Sequence, residues 1–277
     1  MPWFVWRIRQ GGVEMTFDLK NRWSLVTGAS AGIGRELAGA LARAGSNLIL
    51  VARREPLLSE LATELKSAHG IDVDVHALDL SRIEAAQELV EKVVTRPVSV
   101  LVNNAGYAVL GSFDGAASEG LVNMIDLNVR FLTEVSRRIL PRLLAHPDGG
   151  RILNVGSVAG YQGVPNMAAY AASKAYVNAF SEGLGWELRN TSVRVSCLQP
   201  GQTQSEFFNY SDKGHVLMAR FGLLSATKVA QCGVALIRSG RSARIVGLLN
   251  KVNVFMLRLF PRWVVGRAVG LLFKDMA

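Results

Sequence analysis

Short apolar runs alternate with longer stretches of helical period from Arg22 onward, and this alternation constrains the fold most. The runs are rich in Val, Leu and Ile, as expected of strands that are buried on both faces. The predicted strands are Ser24–Thr27, Asn47–Ala52, Val73–Leu78, Val98–Val102, Arg151–Val155, Val193–Leu198 and Arg244–Leu248. The predicted helices are Ile33–Ala44, Pro56–Ala68, Ile83–Thr95, Glu119–Ala145, Ala169–Arg189 and Thr227–Arg238. Such alternation predicts an α/β fold with parallel strands and right-handed crossovers.

The predicted organisation is a single Rossmann-like domain, a doubly wound parallel sheet with helices on both faces, over residues 16–249. Residues 1–15 are predicted to be an N-terminal extension, since Met15 offers a second possible start. Residues 250–277 are predicted to form two short apolar helices that meet at Pro261, with basic residues interspersed. Two interpretations of this tail stay open: peripheral contact with an anionic membrane, or docking on the body or on a partner subunit.

Composition favours a globular protein, because 49% of the 277 residues are hydrophobic and 19% are charged. The net charge is +9, but the sequence contains no run of five basic residues, which argues against nucleic acid as a partner. Two cysteines are too few for a disulfide framework, and the four histidines have no metal-ligand spacing. With neither a secretory signal nor an uncharged run of about 18 residues, the expected location is cytoplasmic, with peripheral membrane contact through 250–277 as an alternative.

A glycine-rich segment, Thr27–Gly34, follows the first predicted strand and opens the first predicted helix. Glycine permits a tight turn and close approach of the backbone to a phosphate, and the amino end of the helix favours an anion. The spacing is Gly-x3-Gly-x-Gly rather than Gly-x-Gly-x2-Gly. Its place in the first β–α–β unit predicts a dinucleotide site. The predicted contacts are Gly28, Ser30, Gly32, Ile33 and Gly34.

Two arginines follow the second predicted strand. Enzymes that bind NAD place an acidic residue about 20 residues beyond the glycine turn, where it accepts hydrogen bonds from the ribose. Here Ala52 lies in that region, and Arg53 and Arg54 follow it. Guanidinium groups bind a 2′-phosphate, which a carboxylate would repel. The sequence therefore predicts NADP(H) rather than NAD(H).

The order of motifs resembles that of the short-chain dehydrogenase/reductase family over roughly Arg22–Thr203. The matching segments are Thr27–Gly34, Asp79-Leu80, Asn103-Asn104-Ala105-Gly106, Asn128, Ser157, Tyr170-x3-Lys174 and Pro200-Gly201-x-Thr203. Each segment is weak evidence alone, but together and in this order they are highly specific. One departure is the polar loop Gln202–Gln204, where many relatives are apolar.

This resemblance implies a catalytic set of Asn128, Ser157, Tyr170 and Lys174. Tyr170 would donate or accept the proton. Lys174, four residues later on the same helix face, would lower the pKa of the phenol, and so would the positive charge of oxidised nicotinamide. Lys174 would also hold the nicotinamide ribose. Ser157 would hydrogen-bond the substrate oxygen, and Asn128 would help to hold a water in a relay to Lys174.

Further cofactor contacts are implied by the same resemblance. Asp79 and Leu80 would lie at the adenine, and Asn104, Ala105 and Gly106 would line the ribose and nicotinamide. Pro200, Gly201 and Thr203 would border the carboxamide.

Substrate selectivity is predicted to depend on a lid over residues 204–224. The lid contributes Phe207, Phe208, Tyr210, Met218 and Phe221, and the catalytic loop adds Val158, Tyr161 and Val164. This apolar content favours a lipophilic ketone, aldehyde or acyl-derived carbonyl.

The predicted function is NADP(H)-dependent hydride transfer between nicotinamide and a carbonyl or alcohol. The alternatives are an epimerase or dehydratase on the same fold and a cofactor-binding regulator without catalytic activity. The resemblance also implies a homodimer or homotetramer that associates through the helices Glu119–Ala145 and Ala169–Arg189.

Overall fold

The computed structural model describes residues 16–204 and 223–272. Seven parallel strands form one sheet in the order β3-β2-β1-β4-β5-β6-β9. These strands are β1 (Trp23–Thr27), β2 (Asn47–Ala52), β3 (Val73–Ala77), β4 (Val98–Asn103), β5 (Arg151–Val155), β6 (Arg194–Gln199) and β9 (Ala243–Ile245). A separate two-residue pair joins β7 (Thr203–Gln204) to β8 (Leu224–Ser225). The predicted α/β sheet with helices around it is confirmed.

Helices cover both faces of this sheet. They are α1 (Gly32–Arg43), α2 (Glu55–His69), α3 (Ala85–Lys92), α4 (Ser118–Ile125), α5 (Leu132–Ala145), α6 (Ala168–Glu187), α7 (Ala226–Ser239), α8 (Leu248–Leu257) and α9 (Arg262–Leu272). One apolar core lies under α1, α2 and α7, where Leu37, Leu61 and Val229 are buried. A second lies under α3, α5 and α6, where Leu89, Val135 and Leu188 are buried.

The direction of winding reverses between β1 and β4, which are neighbours in the sheet although β2 and β3 separate them in the chain. Parallel strands place all their carboxyl ends on one edge, and the reversal opens a crevice there. The register pairs Val26 with Val102, so β1 and β4 end side by side. Loops that follow these two strands therefore meet at the crevice.

The longest predicted helix, Glu119–Ala145, differs from the observed structure. The chain is helical over this region, but a π-helical segment at Asp126–Phe131 separates α4 from α5. The change from i→i+4 to i→i+5 hydrogen bonds depends on tertiary packing, so hydrophobic periodicity does not reveal it. Asn128 lies inside this segment. The last predicted strand, Arg244–Leu248, is also shorter, because α8 begins at Leu248.

The tail contains the two predicted short helices, α8 and α9, on either side of Pro261. Their inner sides contact the body: Val254 and Val269 are buried. Val269 belongs to a third apolar cluster with Met124, Met167 and Tyr170. Among the described residues no helix has both the length and the hydrophobicity required to cross a bilayer.

Candidate active site

One cavity of about 1200 Å³ lies at the carboxyl edge of the sheet. It contains every predicted site residue except Asn128. The lining includes Gly28, Ser30, Gly32, Ile33, Gly34, Arg53, Arg54, Asp79, Leu80, Asn104, Ala105, Gly106, Ser157, Tyr170, Lys174, Pro200, Gly201 and Thr203. Motifs that are far apart in the sequence thus line the same crevice.

The glycine turn leaves no room for side chains at two positions. Gly28 has a φ of +67°, and a Cβ there would lie 2.8 Å from Asn104 Nδ2. A Cβ at Gly34 would overlap the carbonyl oxygen of Gly28. The first turn of α1 therefore packs directly on the end of β1, and its N–H groups lie at the cavity. This cradle fits the pyrophosphate of a dinucleotide.

Side chains of Thr27 and Asn104 hold the glycine turn against the end of β4. Thr27 Oγ1 donates to the Val102 carbonyl and accepts from the backbone N–H groups of Asn104 and Ala105, each at 3.1 Å. Asn104 Nδ2 donates to the carbonyl oxygens of Thr27 at 2.9 Å and Gly28 at 3.2 Å. The Asn104 amide thus shapes the turn from within the protein.

The end of the cavity beside the glycine turn carries two cations and one anion. Arg54 Nη2 donates to Ser30 Oγ at 3.2 Å, which ties it to the glycine turn. Asp79 Oδ1 accepts from the N–H of Ser81 at 3.0 Å and from its hydroxyl at 2.8 Å. Burial opposes ionisation of Asp79, but these bonds and the nearby Arg53 outweigh it and lower its pKa. Asp79 is therefore a fixed acceptor at this end.

Tyr170 and Lys174 project from α6 into the opposite end of the cavity. Both are buried, with 7% and 6% of their surfaces exposed. The ammonium of Lys174 donates to the Val155 carbonyl at 2.8 Å and lies 6.0 Å from the centre of the Tyr170 ring. The helix therefore places the two groups side by side, as their spacing predicts.

The expected lowering of the Tyr170 pKa by Lys174 is wrong for the protein's own groups. Burial raises the pKa of Tyr170 to about 12, and a hydrogen bond with Ser157 lowers it only in part. Burial likewise lowers the pKa of Lys174 to about 8. Desolvation disfavours the charged form of each group and is the largest cause of both shifts. The phenol is thus held protonated, beside an amine that can exchange protons near neutral pH.

Ser157 follows β5 and is fixed by α6. Its hydroxyl accepts from the N–H of Ala159 at 3.1 Å, which caps the short 3₁₀ turn Val158–Tyr161. The Asn178 amide makes two hydrogen bonds with the Ser157 backbone. Its Nδ2 donates to the Ser157 carbonyl at 3.0 Å, and its Oδ1 accepts from the Ser157 N–H at 3.4 Å. Sequence reasoning missed Asn178, although it lies one helical turn beyond Lys174.

Asn128 lies beneath the cavity and does not line it. Its Oδ1 accepts from the Tyr107 N–H at 3.2 Å, and its Nδ2 donates to the Tyr107 carbonyl and to Ser173 Oγ, each at 3.0 Å. A Cβ at Gly106 would lie 2.8 Å from Asn128 Oδ1 and 3.6 Å from Lys174 Nζ. The Asn128 amide therefore uses its hydrogen bonds to hold the loop after β4. The part of Asn128 in a water relay stays a prediction.

Several further lining residues escaped prediction. Gln162 and Gln202 line the cavity, and among the described residues their buried Oε1 atoms have no hydrogen-bond partner. The tail contributes Asn250, Asn253, Val254, Met256, Leu257, Phe260, Val264, Val265, Ala268 and Val269. In α8 the spacing of Asn250, Val254 and Leu257 is the available signal, since i, i+4 and i+7 mark one helix face.

The predicted apolar pocket has a mixed outcome. Val158 and Val164 line the cavity. Tyr161 is not among the lining residues, and its hydroxyl donates to Gln199 Oε1 at 2.9 Å. The lid residues Phe207, Phe208, Tyr210, Met218 and Phe221 lie outside the described residues, as does the extension 1–15.

Comparison with known sequences identifies the family. The sequence model described as short chain dehydrogenase matches residues 22–216. The chain belongs to this family. A sulfoacetaldehyde reductase 2 of Chromohalobacter salexigens is 39% identical over 188 residues, which cover 66% of this chain and 73% of that protein. A very-long-chain 3-oxoacyl-CoA reductase of Laccaria bicolor is 37% identical over 183 residues, 65% of this chain. The match spans 54% of that relative's length.

Solved structures of short-chain dehydrogenases agree with this fold. One from Sphingobium yanoikuyae in complex with NADPH has a TM-score of 0.76 at 27% identity and covers 87% of this chain and 97% of that one. Another from Burkholderia phymatum in complex with NAD has a TM-score of 0.79 at 25% identity, covering 88% and 94%. This short-chain dehydrogenase is therefore an oxidoreductase of a family that uses nicotinamide cofactors, and both cofactor types occur among its structural neighbours.

Proposed function

We propose that this protein is an NADP(H)-dependent oxidoreductase that transfers a hydride between nicotinamide and a lipophilic carbonyl or alcohol. The observation that carries the proposal is the single cavity, which has a phosphate-binding turn and two arginines at one end and buried Tyr170, Lys174 and Ser157 at the other. A dinucleotide that spans this distance would bring its reactive ring to the phenol. The bound nicotinamide supplies or accepts the hydride.

Tyr170 supplies the proton in the reductive direction. As the carbonyl carbon gains a hydride, negative charge develops on its oxygen, and the Tyr170 hydroxyl donates its proton to that oxygen to give the alcohol. Ser157, whose hydroxyl lies beside that of Tyr170, would turn its single proton to the same oxygen and donate a second hydrogen bond there. In the oxidative direction the proton returns from the alcohol to the tyrosinate.

Lys174 restores the proton and stabilises the charge left on Tyr170. Its pKa of about 8 permits it to give up a proton near neutral pH. Asn128 acts as a positioning residue, because its amide fixes Tyr107 and Ser173 beside Lys174. Asp79, Leu80, Asn104, Ala105, Gly106, Pro200, Gly201 and Thr203 are proposed cofactor contacts on account of their place in the cavity lining.

Arg53 and Arg54 support the preference for NADP(H). Both line the adenosine end of the cavity, and Arg54 is tied to the glycine turn. We expect kcat/KM with NADPH to exceed that with NADH by at least about 100-fold, because charge-assisted bonds contribute roughly 1.5–3 kcal/mol each. The double variant Arg53→Ala/Arg54→Ala should abolish this preference, whereas Arg43→Ala at the far end of α1 should keep it. Faster turnover with NADH by the unaltered protein would refute the assignment.

The substrate end supports a lipophilic carbonyl with a polar group. Its lining combines apolar Leu127, Val158, Met167 and Phe260 with Gln162 and Gln202, whose amide oxygens find no partner in the part of the chain that the structure describes. By its name, the very-long-chain 3-oxoacyl-CoA reductase acts on a carbonyl of a long acyl chain, which is also a lipophilic carbonyl. NADPH oxidation with a panel of ketones, aldehydes, steroids and acyl thioesters tests this proposal. Turnover confined to small charged aldehydes would contradict it.

We also propose a cytoplasmic homo-oligomer that associates through the π-helical segment, α5 and α6. A hollow of about 670 Å³ lies on this outer face. Thr133 and Tyr176 hydrogen-bond there at 2.8 Å, and Tyr176 stacks on Phe180 at 5.7 Å. Sedimentation equilibrium should give a dimer or tetramer, and Tyr176→Glu should dissociate it. A monomer at micromolar concentration would contradict the proposal.

A further inference from the structure

The outer face of α8 is apolar although the structure leaves it exposed. Its exposed apolar side chains outside the cavity lining are Leu248, Leu249, Val252, Phe255 and Leu259, the last of which continues the helix line just past its end. Leu248, Val252, Phe255 and Leu259 are spaced i, i+4, i+7 and i+11, so they form one stripe. A helix on a globular protein ordinarily turns such a stripe inward. Here the inward face carries Asn250, Asn253, Val254 and Leu257 at the cavity.

The neighbouring helix α9 extends this apolar surface. Trp263 is 71% exposed and Leu271 is 70% exposed. They flank exposed Arg267 at a spacing of four residues, so all three share one side of the helix. Phe260, in the connection between the helices, is 49% exposed. We call the outward residues of α8, α9 and their connection the tail surface.

Charge is segregated to the same part of the chain. Residues 213–274 contain eleven Lys and Arg and no Asp or Glu, while the rest of the chain contains 20 basic and 22 acidic residues. This segment therefore accounts for the whole positive net charge of +9. Four of its exposed cations lie in the tail: Lys251 on α8, Arg258 directly after it, and Arg262 and Arg267 on α9. An apolar stripe bordered by cations matches a bilayer that contains anionic lipid.

We propose that the tail surface docks this protein on an anionic membrane. Phe255, Leu259 and Trp263 would enter the interface, and Lys251, Arg258 and Arg262 would lie among the headgroups. Each helix has 10 or 11 residues, a length for lying in an interface rather than crossing it. A second copy of the chain fits the tail surface less well. In a two-fold contact the tail surface would meet itself, and its four cations would face the same four cations of the other copy.

The inner sides of both helices form part of the cavity wall, so docking would place one wall of the candidate active site against the lipid. This consequence rests on the proposed function, whereas the docking itself does not. The test below measures binding without turnover, so it can fail or succeed independently of the catalytic proposal.

The experiment is co-sedimentation of the full chain with vesicles of phosphatidylcholine alone and of phosphatidylcholine with phosphatidylglycerol. We expect binding to the anionic vesicles that weakens with salt. The variant Phe255→Asp/Leu259→Asp should lose binding by more than about tenfold, since two inserted apolar side chains are replaced by charges. Its matched control is Ile83→Asp/Val94→Asp, which makes the same change at residues that are 69% and 60% exposed elsewhere. The control should bind like the unaltered protein.

A second pair of variants isolates the charge. Lys251→Glu/Arg258→Glu should lower binding by about tenfold or more, and Arg43→Glu/Lys66→Glu, which makes the same change at exposed residues of α1 and α2, should lower it clearly less. No binding to anionic vesicles, or equal loss in tail and control variants, would overturn the proposal. The molar mass of the protein is also measured without vesicles. A dimer that only the Phe255→Asp/Leu259→Asp variant dissociates would identify a second copy of the chain as the occupant of the tail surface and would also overturn the proposal.

Discussion

The two ends of the cavity are built in different ways. At the glycine turn, backbone packing fixes the geometry: Gly34 has no space for a Cβ, and Thr27 and Asn104 bind the loops together. At the substrate end, helices from distant parts of the chain form the wall, and the lining includes Gln162 and Gln202, whose buried Oε1 atoms have no hydrogen-bond partner among the described residues. The difference teaches that the cofactor end is built from motifs that can be recognised in the sequence and that meet at the sheet edge, whereas the substrate end is built from residues that belong to no motif.

The largest expected effect concerns Tyr170, which lies where the two ends meet. Tyr170→Phe should lower kcat by about 1000-fold or more, because it removes the proton donor, while the affinity for NADPH changes little. Steady-state turnover and fluorescence titration with NADPH measure the two quantities. The control is Tyr161→Phe, whose hydroxyl bonds Gln199 outside the cavity and whose loss should leave kcat within about threefold. Unchanged turnover in Tyr170→Phe would remove the phenol from the mechanism.

The next effect isolates the cofactor end. Gly34→Ala should weaken NADPH binding by about 100-fold, since the new Cβ would push α1 away from Gly28. Gly39→Ala makes the same change in the same helix, where the nearest atom would be 3.6 Å away, and should bind NADPH normally. Calorimetric titration of both variants gives the comparison. Equal affinities would show that close packing at the turn is not required.

Asn178 offers a smaller test at the substrate end. Asn178→Ala should lower kcat by about tenfold to 100-fold while KM for NADPH stays unchanged, because Ser157 loses two backbone hydrogen bonds that position it. Asn190→Ala, the same change at an exposed residue just beyond α6, is the control. A fall in thermal stability with kcat unchanged would reduce Asn178 to a purely structural role.

The smallest expected effect is on pH dependence. Burial depresses the pKa of Lys174 to about 8, so its charge is lost as pH rises through that value, while Tyr170, with a pKa of about 12, stays protonated. Carbonyl reduction should therefore be nearly constant from pH 6 to about 7 and about tenfold slower at pH 9. A profile of kcat/KM at saturating NADPH measures this. A flat profile to pH 10 would contradict the role of Lys174.

The sequence predicts the fold and the cofactor end of the cavity better than it predicts the substrate end. The sequence predicts the strand Asn47–Ala52 to the residue, because this short apolar run is bounded by Gly45 on one side and by the charged pair Arg53-Arg54 on the other. The residues of the motifs from Gly28 to Thr203 converge as expected, except that Asn128 lies behind the cavity wall. Its π-helical segment depends on packing against Tyr107 and Ser173, which local periodicity does not encode.

The substrate end was less predictable for a physical reason. Gln162 and Gln202 are single polar residues in loops, and only the assembled cavity shows that their oxygens lack partners. The pKa of Tyr170 was predicted in the wrong direction, since the spacing to Lys174 indicates the cation but not the depth of burial. Of the two tail interpretations, docking of the inner faces on the body is seen in the structure, and membrane contact through the exposed outer faces stays a proposal.

The most direct test of the central claim follows the transferred hydrogen. The protein is incubated with NADPH deuterated at C4 of the nicotinamide, using both stereoisomers in turn, and with a carbonyl substrate from the panel. Mass spectrometry of the alcohol should show one deuterium on the former carbonyl carbon with one of the two stereoisomers, and Tyr170→Phe should give almost no product. An alcohol that carries no deuterium with either stereoisomer would contradict hydride transfer from the nicotinamide.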